Sequence, residues 1–117
     1  MNQEEYLKLI AQIFDSQGFK IEMINMSYDP GIDFVAYNRN LKIAVKVRWQ
    51  EKDKSGHVEI LLTYAGKALF DCDEAYFITS GNITNEAREI VPKLKVKVME
   101  NFLPDNTLAQ QDKKQDK

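Results

Sequence analysis

The segment Leu41 to Trp49 (LKIAVKVRW) constrains the fold more than any other part of the chain. Leu41, Ile43, Val45 and Val47 fall at every second position, with Lys42, Ala44, Lys46 and Arg48 between them. A period of two is that of a β-strand with one face on a core and the other turned to polar surroundings. Just before it, Ile32 to Tyr37 (IDFVAY) reads as a second strand, and Asn38, Arg39 and Asn40 as the tight turn between them. Together they predict an antiparallel hairpin. Asp33, Val35 and Tyr37 share one face of the first strand. If the polar faces match across the hairpin, Asp33 comes near Lys46 and Arg48.

The flanking segments build outward from this hairpin. Gln3 to Gln17 carries Tyr6, Leu9, Ile10, Ile13 and Phe14 at steps of three and four, with Gly18 after them as a stop, which predicts a helix. Phe19 to Asn25 reads as a strand and Ser27 to Gly31 (SYDPG) as a loop rich in turn residues. After the polar stretch Gln50 to Gly56, Val58 to Phe70 returns to helical spacing. Val58, Leu61, Leu62, Ala65, Ala68 and Leu69 form its expected buried face. Ala75 to Thr79 (AYFIT) reads as a buried central strand. Thr84 is placed to cap a helix that starts at Asn85 and ends near Pro92, and Lys95 to Met99 reads as an edge strand. The order α-β-β-β-α-β-α-β predicts an α/β fold, a mixed sheet of four or five strands flanked by helices. Residues 1–104 form one domain in this reading, and residues 105–117, polar and poor in hydrophobes, a disordered tail.

Composition narrows the function classes. The chain of 117 residues is sized for a single core. One cysteine, Cys72, and one histidine, His57, exclude an intrachain disulfide framework and a Cys/His zinc site. No apolar run approaches a membrane span and the N-terminus is acidic, so a cytoplasmic protein without membrane contact is expected. The net charge is −2, yet Arg39, Lys42, Lys46, Arg48, Lys52 and Lys54 stand against only Glu51 and Asp53 between residues 39 and 54. That segment carries +4 and is either a phosphate-facing stripe or a solvated strand edge.

Four pieces of the chain resemble the restriction-endonuclease-like superfamily, the PD-(D/E)XK nucleases, and most nearly its Mrr-like type IV restriction endonuclease branch. Gln17-Gly18-Phe19 is similar to the Gly-Tyr that follows the family's first helix. Asp29-Pro30-Gly31-Ile32-Asp33 resembles its Asp-Gly-Gly-Ile-Asp. Ile43 to Trp49 resembles its Val-Gln-Cys-Lys-Arg strand, and Ile78 to Arg88 its Thr-Thr-Gly-x-Phe-Thr-x-x-Ala segment. The resemblance covers about residues 6 to 103 and implies a restriction-endonuclease-like core, DNA as partner and Mg²⁺-dependent endonuclease chemistry. It places Asp33 at the first acidic, metal-binding position. The Glu/Gln-x-Lys positions fall on Lys46 and Arg48, so the catalytic motif is degenerate. An ammonium beside Asp33 competes with a divalent cation for that carboxylate, and Arg48 can meet phosphate but is a poor proton shuttle. Glu59 at the start of the second long helix, or Asp29 in the loop, is placed to supply the missing acid. In a shifted register Lys46 takes the lysine position and Ala44 the acid position.

Three functions follow. The first is a DNA-binding domain of the Mrr-like family with weakened or lost Mg²⁺-dependent cleavage. Asp33, Lys46 and Arg48 are its candidate catalytic residues, and Arg39, Lys42, Lys46, Arg48, Lys52 and Lys54 its DNA contacts. The second is an active Mg²⁺-dependent endonuclease using Asp33, and the third a non-catalytic protein-interaction domain. A homodimer or a partner subunit is compatible with each. Bland alternatives accompany every residue: a structural ion pair for Asp33, core packing for Trp49, a helix start for His57 and a buried thiol for Cys72. Thr79 to Asn82 is either a phosphate-binding turn or a strand-to-helix turn capped by Thr84.

Overall fold

The computed structural model describes residues 1–104. Its elements are α1 (Gln3–Ser16), β1 (Lys20–Met23), β2 (Phe34–Tyr37), β3 (Lys42–Arg48), α2 (His57–Leu69), β4 (Glu74–Thr79), α3 (Asn85–Leu94) and β5 (Val96–Met99). This is the order expected from the sequence. The tail expected over 105–117 lies outside the described residues.

The first helix begins where the chain supplies its own cap. The Asn2 side chain accepts the Glu5 N–H at 2.8 Å, and the Glu5 carboxylate accepts the Asn2 N–H at 2.9 Å. Two otherwise orphaned donors are satisfied reciprocally. Strands β1 to β5 form one sheet in sequence order. The first two pairings are antiparallel, and β3–β4 and β4–β5 are parallel. Parallel neighbours need crossover connections, and α2 and α3 are those crossovers. They cover one face of the sheet, packing Ile60 and Ala87, with Ile83 from the turn before α3, on Ala75, Phe77 and Val96. Helix α1 covers the other, where Tyr6, Ile10 and Phe14 meet Phe34, Ile43, Val45 and Val47. Strand β3 is therefore central and covered on both sides. No helix among the described residues is long and apolar enough to cross a membrane.

Helix α2 departs from expectation in orientation. Its buried residues are Ile60, Thr63 and Gly66, whereas Val58, Leu61 and Leu69, expected in the core, are exposed. The cause is a backbone contact that hydropathy does not register. Gly31, at φ +92°, lies so close to α2 that a Cβ there would stand 2.1 Å from the Leu62 carbonyl oxygen, and a Cβ on Gly66 would stand 2.5 Å from Ile32 Cγ2. Two glycines let the Pro30–Ile32 loop press on the helix, and the helix turns its 60/63/66 row inward to meet it. Helix α3 also runs past Pro92 to Leu94. Pro92 gives up one N–H near the helix end, and the Lys95 N–H, with Lys95 at φ 58°, closes it on the Val91 carbonyl.

Candidate functional site

The hairpin register brings the polar faces together. Phe34 lies opposite Val45 and Val35 opposite Ala44, and the Asp33 N–H donates to the Val45 carbonyl at 2.8 Å, so Asp33 stands beside Lys46 at the mouth of β2. Its carboxylate accepts the Val47 N–H at 2.7 Å. Burial pushes the Asp33 carboxyl above the ordinary carboxylate range, against the opposing pull of that hydrogen bond and of Lys46 and Arg48. Asp29, whose side chain holds the Gly31 N–H at 2.8 Å, adds to the upward push. A half-buried carboxyl with a raised pKa beside opposite charges is a pattern that clusters at functional sites and also occurs in structural ion-pair networks.

The second half of the site comes from α2. Glu59, in its first turn, places one carboxylate oxygen on the Arg48 guanidinium and the other 3.8 Å from Lys46 Nζ. Lys46 is 7% exposed and Arg48 far more open. The Glu59 oxygen that faces Lys46 is buried and accepts no hydrogen bond. Of the two residues placed to supply an acid, Glu59 is the one that reaches both cations. Glu59 pairs with the two cations.

A cleft of about 590 Å³ opens beside this cluster, lined by residues 48–56 and Glu59. Its wall is held by Gln50, a residue the sequence reading passed over. The Gln50 side chain donates to the Asp53 carbonyl at 2.6 Å and accepts the Thr79 hydroxyl, while its N–H donates to the Ser80 hydroxyl at 2.7 Å. Long-range polar contacts of this kind leave no periodicity to read. The same contacts occupy the turn expected either to bind phosphate or to link strand and helix. Thr79 Oγ1 accepts the Gly81 N–H at 3.0 Å, and Thr84 caps α3.

The structure divides the basic segment. Arg48, Lys52 and Lys54 line the cleft. Arg39 lies in the turn between β2 and β3, and Lys42 starts β3, so both sit at the opposite end of the sheet. Six residue steps separate Lys42 from Arg48, about 20 Å in a strand. Trp49 packs its ring 5.4 Å from that of Tyr6 on the α1 side, as core packing requires. His57 opens α2, and Cys72 is half-buried, with its thiol pushed up by burial.

A Mg²⁺ site of the family's kind needs two or more carboxylates with oxygens to spare. Here Glu59 is engaged by two cations and one Asp33 oxygen by a backbone N–H. Among the described residues no three His, Cys, Asp or Glu side chains converge. The residues present do not fit such a site.

Solved structures share this architecture. The protein of unknown function AF1548 matches with a TM-score of 0.63 at 17% identity, over 77% of this chain and 53% of its own. The DNA modification-dependent restriction endonuclease AspBHI matches at 0.60 and 10% identity, over 85% and 30%. The restriction endonuclease MspJI, solved with a 27-mer oligonucleotide, matches at 0.56 and 13% identity, over 80% and 24%. The fold is thus that of restriction-endonuclease-like nucleases, and this chain spans about half or less of the length of these proteins. No curated protein matches it in sequence. The restriction endonuclease family model Mrr_cat matches residues 1–101, and the chain belongs to that family.

Proposed function

We propose that this restriction endonuclease-family domain binds the DNA backbone at the Arg48–Lys54 cleft, and that its Mg²⁺-dependent cleavage is weakened or lost. The observation that carries this reading is the clamp of Glu59 between Lys46 and Arg48. In the free protein it takes up the one additional acid that reaches both cations, while leaving a guanidinium at the cleft wall. MspJI was solved with an oligonucleotide, which supports DNA as the class of partner. Arg48, Lys52 and Lys54 can meet about three phosphates, giving a log-log salt slope of roughly −3. Arg39 and Lys42 stand too far away to share that footprint.

Fluorescence anisotropy with duplex DNA at two salt concentrations tests the reading. The expected result is weak, salt-dependent binding that Arg48→Ala reduces and Arg39→Ala leaves nearly unchanged. Absence of salt-dependent binding even at low ionic strength would put the protein-interaction reading first. The active-endonuclease reading has Glu59 and Asp33 in its favour as acids near the two cations. Mg²⁺-dependent nicking of plasmid DNA that disappears in both Asp33→Ala and Glu59→Ala would establish it and overturn the loss of catalysis.

A further inference from the structure

We propose that Glu59 occupies, in the free protein, the seat that a phosphodiester takes on Arg48, so that the domain carries its own competing anion for the DNA backbone. The inference rests on the DNA-binding reading and specifies how that site is controlled.

A guanidinium offers the same planar pair of donors to a carboxylate and to a phosphate. Arg48 gives one guanidinium nitrogen to Glu59 at the wall of the cleft, where its side chain is 41% exposed, whereas the Lys46 side chain is 9% exposed. The two cations therefore play unequal parts. Lys46 is buried, and without an anion it would be an uncompensated charge in the interior. Arg48 opens to the solvent side and can exchange one anion for another. The Glu59 oxygen facing Lys46 is buried without a hydrogen bond, at 3.8 Å from the ammonium. That contact has slack and can shorten when Arg48 lets go. On arrival of a phosphodiester, Arg48 turns to it and Glu59 stays on Lys46. No charge is left alone in the interior at any stage. Glu59 also lies in the first turn of α2, where the helix dipole favours an anion and returns it to its place when DNA leaves.

A plain structural ion pair and a displaceable one differ in sign. Glu59→Gln removes the partner of buried Lys46 and so lowers thermal stability in both cases. Only the displaceable pair gains affinity for DNA, by about tenfold, the scale of one charge-assisted contact. Lys46→Met/Glu59→Gln removes the stranded ammonium and keeps the test open if the single variant folds poorly. The experiment is anisotropy with duplex DNA at fixed low salt for wild type, both variants and Arg48→Ala/Glu59→Gln, with NMR of the Arg48 Nε–H in titrations of inorganic phosphate. The expected result is a gain of about tenfold in the first two variants that Arg48→Ala abolishes, with a larger phosphate-induced shift at Arg48 than in wild type. Affinity within twofold of wild type, or a gain that survives loss of Arg48, overturns the proposal. Should no protein bind DNA while phosphate still moves Arg48 more in Glu59→Gln, the DNA reading fails and the displaceable seat stands.

Discussion

The two faces of β3 are built from alternate residues of one seven-residue strand and do opposite work. On the α1 face, Ile43, Val45 and Val47 close with Tyr6, Ile10, Phe14 and Phe34 into an apolar cluster. On the α2 face, Ala44 is followed by Lys46 and Arg48, and the chain brings Glu59 to meet them. Both faces are covered by helices, the α1 face throughout and the α2 face as far as Lys46, with Arg48 left open at the cleft. The apolar face takes stability from transfer and close packing. The polar face holds desolvated charge that is stable only while paired. A strand can thus be anchored on one side and carry reactive groups, held within ångströms of fixed positions, on the other.

The sharpest way to break this comparison is to open the apolar face. Phe34→Ala removes a fully buried ring and is expected to cost about 3–5 kcal/mol, read by urea denaturation. If the faces are independent, the residual native protein keeps its Glu59–Arg48 pair, visible in the Arg48 Nε–H resonance. A milder change on the polar face has the opposite sign. Burial holds the Asp33 carboxyl above its ordinary range, so its ionised form disfavours folding. Its relative benefit is fully present at acid pH and lost as pH rises through the raised value. Asp33→Asn is therefore expected to raise the thermal midpoint near neutral pH. The difference should vanish as the pH falls below about 4, in melts recorded across that range. The smallest effect belongs to a charge pair outside both faces. Glu100 accepts two hydrogen bonds from Arg88, at 2.6 and 2.7 Å, and that contact first, with the Ile83 N–H, holds its carboxyl below the usual range. Its contribution is complete above the ordinary carboxylate range and lost as pH falls through the depressed value. Glu100→Gln should be slightly less stable than wild type at neutral pH and match it at strongly acid pH.

Local periodicity made much of this molecule legible. The alternation from Leu41 to Trp49 identified β3 and its two faces, and the hairpin expected from it set Asp33, just before β2, near Lys46 and Arg48, where the structure also has it. The spacing in α1 gave its buried row. Helix α2 was found but turned, because hydropathy placed Val58, Leu61 and Leu69 inside, whereas the glycine contact that sets its rotation belongs to a loop some thirty residues upstream. Glu59 was readable as a residue placed to lean in. Its grip on two cations at once was not, since that follows from how the helix docks. The basic segment reads as one stripe because its charges are close in sequence. A strand is straight, and its length alone carries Lys42 away from Arg48.

The glycine contact has a mechanical consequence. Gly31 precedes Asp33 by two residues, and Gly66 follows Glu59 by seven on a continuous helix. The two halves of the site thus hang from one fulcrum, where the Gly31 backbone meets the helix backbone at Leu62 and the Ile32 side chain lies against Gly66. The arm from Gly66 to Glu59 is about 10 Å at the helical rise. A tilt at the fulcrum swings Glu59 along an arc relative to Lys46 and Arg48, while Asp33, two residues from the pivot, hardly moves. Such a tilt would change the spacing between the acid on the helix and the cations on the strand from a point that touches none of them.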